Sequence, residues 1–288
     1  MNEMANPIPL PRRRGRPAAE DGIREGVAGV RALDRALALL QAVAARAEGN
    51  ALTDLADAAG LAPSTAHRLL RGLEERGFVS QDAERGLWFV GVGAFAVGAA
   101  FLKVRDVVQI ARPAMRRLME RSGESVNLAV LDAGEAVFLS QVECRQMMRA
   151  LAPPGGRAPL HASGVGKALL MGFGDKERIR RIAAMKLGRH TDYTLIDAAA
   201  LTRDIEESRL RGFAIDDEEH AVGLRCVAAP IRNEFAEPVA AISISGPKAR
   251  IEDARLPELG ELVARAAAEV SSEYGAVANG ATTLPPAG

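Results

Sequence analysis

Between residues 30 and 46 the run VRALDRALALLQAVAAR places Leu33, Leu37, Leu40 and Val43 at helical spacing. That period predicts an amphipathic helix with one apolar stripe. Two further helices are predicted in LTDLADAAG, with Thr53 suited to cap it and Gly60 to end it, and in LAPSTAHRLLRGLEERG, with Pro63 in the first turn and Gly77 at the exit. In the latter, Leu69, Leu70 and Leu73 are expected to face a core. The pattern then shifts to short β-prone runs, Phe78 to Ser80 and Leu87 to Val90, around the polar turn QDAERG. Helix, helix, tight turn, helix and hairpin in this order make a winged helix-turn-helix outline.

From residue 91 to 121 the chain reads as helical, with many small residues at first and Pro113 later. Small side chains let helix backbones approach closely, so this stretch suits a linker helix packed on another chain, then the first helix of a second domain. An intramolecular helix pair is the alternative. Beyond it, ESVNLAVLDAGEAVFLSQVE and CVAAPIRNEFAEPVAAISISGP each read as two strands around a turn. Between them lie a loop and helix from Pro159 to Gly172, helical stretches near 175 to 187 and 197 to 211, and the acidic loop DDEEHAVG; a closing helix spans roughly 257 to 272. Hairpin strands with helices grouped around them predict an α+β domain with an antiparallel sheet.

A length of 288 residues is enough for two modest domains. The 37 basic and 37 acidic side chains cancel, so any nucleic-acid partner must be held by local patches. Short apolar runs and no apolar leader after the amino terminus point to a cytoplasmic protein without membrane segments. The two cysteines, Cys144 and Cys226, fit neither a disulfide framework nor a metal-ligand spacing and are expected to be free thiols. Residues 1–28 form a basic tail, expected to be disordered, in which Arg12, Arg13, Arg14 and Arg16 surround Gly15. Such a cluster can lie along an A·T-rich minor groove, or remain solvated.

On the second helix of the helix-turn-helix, Ser64, Thr65, His67, Arg68 and Arg71 occupy the polar face. Hydroxyls, an imidazole and guanidiniums can bond phosphates and base edges, although a solvated face would look the same. Residues 51–90 carry four Arg, no Lys and six acids, a net of −2 that makes binding by one copy weak. Either the tail arginines or several copies must help.

The loop PLHASGVGKALLMG tests a different idea. A Walker A cradle needs a Gly where His161 stands and a Ser or Thr where Ala168 stands, and a dinucleotide fingerprint needs a third Gly at Leu169. Both are excluded. Ser163, Gly164, Val165 and Gly166 can still present backbone N–H groups at a helix start, a site for a small anion such as a carboxylate. Asp216, Cys226, Ser243 and Ser245 are polar groups that could converge there, the two serines on one strand face; bonding to nearby backbone is the competing account. Cys226 with His220 could form a thiolate pair, and Asp217, Glu219 and His220 a metal site, but neither has a distinctive spacing. A solvated acidic loop is the expectation for DDEEH. No catalytic residue, metal or cofactor is expected.

Taken together, LADAAGLAPSTAHRLLRGLEERGFV, LHASGVGKALL, DDEEHAVGLRCVAAPI and AAISISGP resemble the IclR family of bacterial transcriptional regulators over residues 30 to 272. The resemblance implies a winged helix-turn-helix DNA-binding domain over 29–91, a linker helix over 92–106, a GAF-like effector-binding domain over 107–275 and a disordered tail over 276–288. It also implies a repressor of double-stranded operator DNA, assembled as a homodimer or homotetramer and controlled by a small organic acid. In glyoxylate-responsive members the ligand is held by backbone N–H groups of the helix-opening loop, an Asp, a Cys and two Ser, which match Gly164, Val165, Asp216, Cys226, Ser243 and Ser245. An activator answering to an aromatic acid and an enzyme using Cys226 are the alternative readings.

Overall fold

The structure, a computed structural model, describes residues 31–103, 107–150 and 152–280. The Arg12–Arg16 cluster and the rest of the basic tail lie outside them. Two compact units are present, divided between Gly98 and Ala99.

In the first unit α1 (Arg31–Ala44), α2 (Leu52–Ala58) and α3 (Pro63–Glu74) precede the antiparallel hairpin of β1 (Val79–Gln81) and β2 (Trp88–Val90). Helix α4 (Val92–Lys103) follows. The core collects Leu39, Val43, Leu55, Ala56, Ala66, Leu70, Val79 and Trp88. The α1 stripe is therefore rotated from the expected one: Val43 and the partly buried Leu40 face inward beside Leu39, whereas Leu33 is 56% and Leu37 49% exposed. In α3, Leu70 is buried and Leu69 and Leu73 are partly so, with Ala66 completing the inner face. Thr53 is no cap, because α2 starts one residue earlier with Ala51 at its N-cap and no side-chain cap bond. Pro63 does open α3, where its missing N–H costs nothing. Gly60 and Gly77 take φ of +61° and +71°, the left-handed backbone that ends each helix.

The second unit is built on a six-stranded antiparallel sheet ordered β5-β4-β3-β8-β7-β6. Its strands are β3 (Ser125–Asp132), β4 (Glu135–Val142), β5 (Arg157–Pro159), β6 (Ala214–Asp217), β7 (Leu224–Arg232) and β8 (Pro238–Pro247). Helices α5 (Val107–Ser122) and α9 (Leu256–Gly280) cover one face, and α6 (Gly164–Gly172) packs on the other with α7 (Asp175–Ala184) and α8 (Ala198–Arg211) behind it. No described helix is long and apolar enough to cross a membrane.

The sheet's two faces differ in side-chain size, and this creates the cavity described below. Toward α5 and α9 the three central strands send Val126, Leu128, Val130, Val227, Ala229, Ile231, Ile242 and Ile244, which fill a dense core. The alternate positions, read at period two, are Ser125, Asn127 and Ala129 on β3, Cys226 and Ala228 on β7, and Ala241, Ser243 and Ser245 on β8. Small side chains under a helix leave volume. Polar ones make that volume able to bind.

Candidate ligand cavity and nucleic-acid interface

Strand register brings the candidate groups side by side. Asp216 pairs with Cys226, Cys226 with Ser245 and Ser245 with Ser125, while the next row runs Ala228, Ser243, Asn127, Gln141. Helix α6 starts over these rows. Ser163 caps it, its Oγ accepting from the Gly166 N–H at 3.1 Å. Gly166 is therefore committed to the cap, contrary to the expectation that it faces a ligand, and the first-turn N–H groups of Gly164 and Val165 have no intrahelical acceptor. Glycine is required sterically here: a Cβ on Gly166 would come 2.4 Å from Leu160 Cα, and one on Gly164 2.9 Å from Cys226 Cβ.

The result is a cavity of ≈ 80 Å³ lined by Gly164, Val165, Asp216, Cys226, Ser243 and Ser245, together with Ser163, Asn127, Phe138 and His220. All six nominated residues meet in it. Asn127, 1% exposed, was not foreseen; its signal was an amide inside the apolar run VNLAVL. Asp216 is also 1% exposed. Its Oδ1 accepts from the Glu219 and His220 N–H groups at 2.8 and 3.3 Å, which ties down the loop after β6, while Oδ2 is buried without a partner among the described residues. Burial, with Glu219 nearby, pushes this carboxyl up to about 7, the Lys167 charge and the two N–H bonds only partly opposing it.

The acidic loop is not solvated. Glu218 and Glu219 are buried, because each finds a cation: Glu218 bonds Lys248, and Glu219 bonds Lys167, itself fully buried and 3.0 Å from Asp204. Burial works against the Lys167 ammonium, yet the two carboxylates outweigh it and hold the group above its ordinary value. Asp217 pairs with Arg225 and Lys248. With its acids so engaged, the suggested site of Asp217, Glu219 and His220 does not form, and no cluster able to hold a metal occurs among the described residues. His220 instead continues a row with His190 and His161, ring centroids 5.6 and 5.7 Å apart. Burial lowers both His220 and His161, so neither imidazole is a ready cation. Burial also pushes the Cys226 thiol up, which leaves a neutral S–H rather than a thiolate. Both cysteines are free.

In the first unit α3 exposes Ser64, His67, Arg68 and Arg71, with Thr65 half-buried. The His67 ring stands edge-on to Trp88 of the wing, centroids 6.3 Å apart. Arg71 pairs with Glu74 at 2.5 Å; such an exposed pair is worth under about 1 kcal/mol, so a phosphate could displace it. Arg68 makes no ion pair among the described residues.

A winged helix-turn-helix joined to a separate sheet domain is the layout of a DNA-binding transcriptional regulator. The description "IclR helix-turn-helix domain" matches residues 32–83, and "Bacterial transcriptional regulator IclR C-terminal" matches residues 99–272. The chain belongs to the IclR family. It is 47% identical to the acetate operon repressor of Salmonella typhimurium over 93% of this chain and 98% of that one. It is 43% identical to the transcriptional repressor AllR of Escherichia coli over 92% and 97%. Among solved structures, an IclR homologue of Microbacterium hydrocarbonoxydans complexed with 4-hydroxybenzoate aligns with a TM-score of 0.73 and 26% identity, over 85% of this chain and 99% of that one.

Proposed function

We propose that the chain is a cytoplasmic repressor that reads an operator with the exposed face of α3, and that glyoxylate or an oxoacid of its size controls that binding from the α6 cavity. One observation carries the effector half: Gly164, Val165, Asp216, Cys226, Ser243 and Ser245, drawn from α6 and three different strands, line one small cavity whose available groups suit an oxoacid. The Gly164 and Val165 N–H groups receive the carboxylate at the helix start, and the serine hydroxyls receive the carbonyl or its hydrate.

Size supports a small acid. Benzene occupies an engineered cavity of about 150 Å³, so ≈ 80 Å³ suits two carbons better than an aromatic ring. The neutral Cys226 thiol supports binding without turnover. Apolar side chains left exposed, Leu33 and Leu37 on α1 and Val92, Phe95 and Val97 on α4, support assembly as a homodimer or homotetramer. Several copies would also offset the −2 charge of the reading segment.

The test is binding to the DNA upstream of the protein's own gene and its neighbours, at fixed salt, as glyoxylate is added. A coupling of ~1–3 kcal/mol changes affinity about 5- to 150-fold. Ser245→Ala should keep operator binding and weaken the glyoxylate response. A variant that responds as the wild type does would show that the effector binds elsewhere; operator binding indifferent to glyoxylate would remove the effector assignment and keep the DNA-binding one.

A further inference from the structure

The Gln141 amide nitrogen lies 3.2 Å from the Ala150 carbonyl oxygen. A backbone carbonyl can only accept, so this contact makes the Gln141 group the donor. The same nitrogen lies 2.9 Å from Asn127 Oδ1, which fixes the oxygen side of the Asn127 amide toward Gln141. Its Nδ2 therefore faces β8, where it donates to Ser245 Oγ at 3.1 Å and to Ser243 Oγ at 3.4 Å. Each hydroxyl, having accepted from Asn127, must turn its own proton elsewhere. The two oxygens are 3.5 Å apart, so one proton can be used between them and not both. At least one remains for another acceptor; within the wall only the Cys226 sulfur beside Ser245, a weak acceptor, competes for it.

We infer that Gln141 and Asn127 form a polarity relay that makes the serine wall of the cavity a hydrogen-bond donor, selecting ligands that present an acceptor-only oxygen there, a carboxylate or carbonyl. The inference rests on the cavity being the effector site. With the α6 N–H groups donating from another wall, the preferred ligand carries acceptors at both ends, as oxalate and the unhydrated 2-oxoacids do. A hydroxyacid differs because its O–H adapts to either polarity. Gln141 does not line the cavity. It is a positioning residue that acts through Asn127.

The experiment measures Kd for oxalate and for glycolate by calorimetry on the full-length wild type, Ser245→Ala, Gln141→Met and Asn127→Ala. Gln141→Met is uncharged, similar in length and part-exposed, and leaves Asn127 free to turn over. Loss of one neutral hydrogen bond corresponds to about 2- to 12-fold. Gln141→Met should therefore shift the oxalate-to-glycolate ratio by about threefold or more against oxalate, and Asn127→Ala by more still. A merely structural role would weaken both acids by one factor. If Ser245→Ala weakens both acids while Gln141→Met and Asn127→Ala leave their ratio within twofold, the relay is wrong and the site stands. If no binding of either acid is sensitive to Ser245→Ala, the site reading and the relay fall together.

Discussion

Asp216→Asn should remove a pH dependence from the stability of the second unit. The Asp216 carboxyl, ordinarily near 3.8, titrates at about 7 when folded, a gap of about 3 pH units; at about 1.4 kcal/mol per unit this is an upper limit of about 4 kcal/mol. The sign follows from proton counts. Below pH 4 the folded and unfolded chains both hold the proton and the group contributes nothing. Between pH 4 and 7 the unfolded chain releases it first, so stability falls as pH rises and levels off above the folded value. Asn keeps an oxygen for the Glu219 and His220 N–H groups and never ionises, while Glu219 and Lys167 stay in both proteins and largely cancel in the comparison. Asp216→Asn should thus lead the wild type by only about 1 kcal/mol near pH 4.5, where the unfolded carboxyl is already mostly ionised, and by most of the 4 kcal/mol at pH 8. For a unit of this size the gap in Tm should widen by about 10 °C between those limits, read by circular dichroism on full-length protein. A gap that stays constant with pH, or one that favours the wild type increasingly as pH rises, would refute the reasoning.

The same carboxyl predicts weaker glyoxylate binding above pH 7, by up to about tenfold per unit, because a bound carboxylate favours protonated Asp216; titrations that give one Kd from pH 6 to 8 would oppose this. Lys167→Met should cost about 3–5 kcal/mol in urea unfolding, since it leaves Glu219 and Asp204 with no buried cation, and a loss below 1 kcal/mol would mean water reaches them. Gly166→Ala should cost about 1–3 kcal/mol by driving a Cβ into the Leu160 backbone, and an unchanged Tm would show that α6 can shift. Arg68→Ala should leave Tm nearly unchanged and lower the salt slope of operator binding by about 1 if it contacts a phosphate; an unchanged affinity would take Arg68 out of the interface.

Much of the fold was legible because it rests on local signals. Pro63, Gly60 and Gly77 bracket the helix-turn-helix by backbone rules that need no tertiary context, and the β3–β4 and β7–β8 hairpins follow from β-prone runs around polar turns. The α1 stripe failed for a related reason. Leu33, Leu37, Leu40 and Val43 share a helical period, but Leu39 offers an overlapping face, and only packing against α2 and α3 decides which one turns inward.

The site was legible to different depths. Ser243 and Ser245 could be placed on one face by period two alone, and Ser163 at a helix start by its glycines, whereas their convergence needed the strand order that puts β6, β7, β8 and β3 next to one another. The DDEEH loop was misread because charge composition reports what a residue costs to bury, not what it will meet. Lys167 stands 52 positions earlier than Glu219, and nothing local in the sequence pairs the two. On the buried side of α6, this lysine supplies the cation that lets Glu219 lie inside the domain. That placement carries the loop over the cavity, and His220 with it, beside the Asp216 oxygen that has no partner among the described residues.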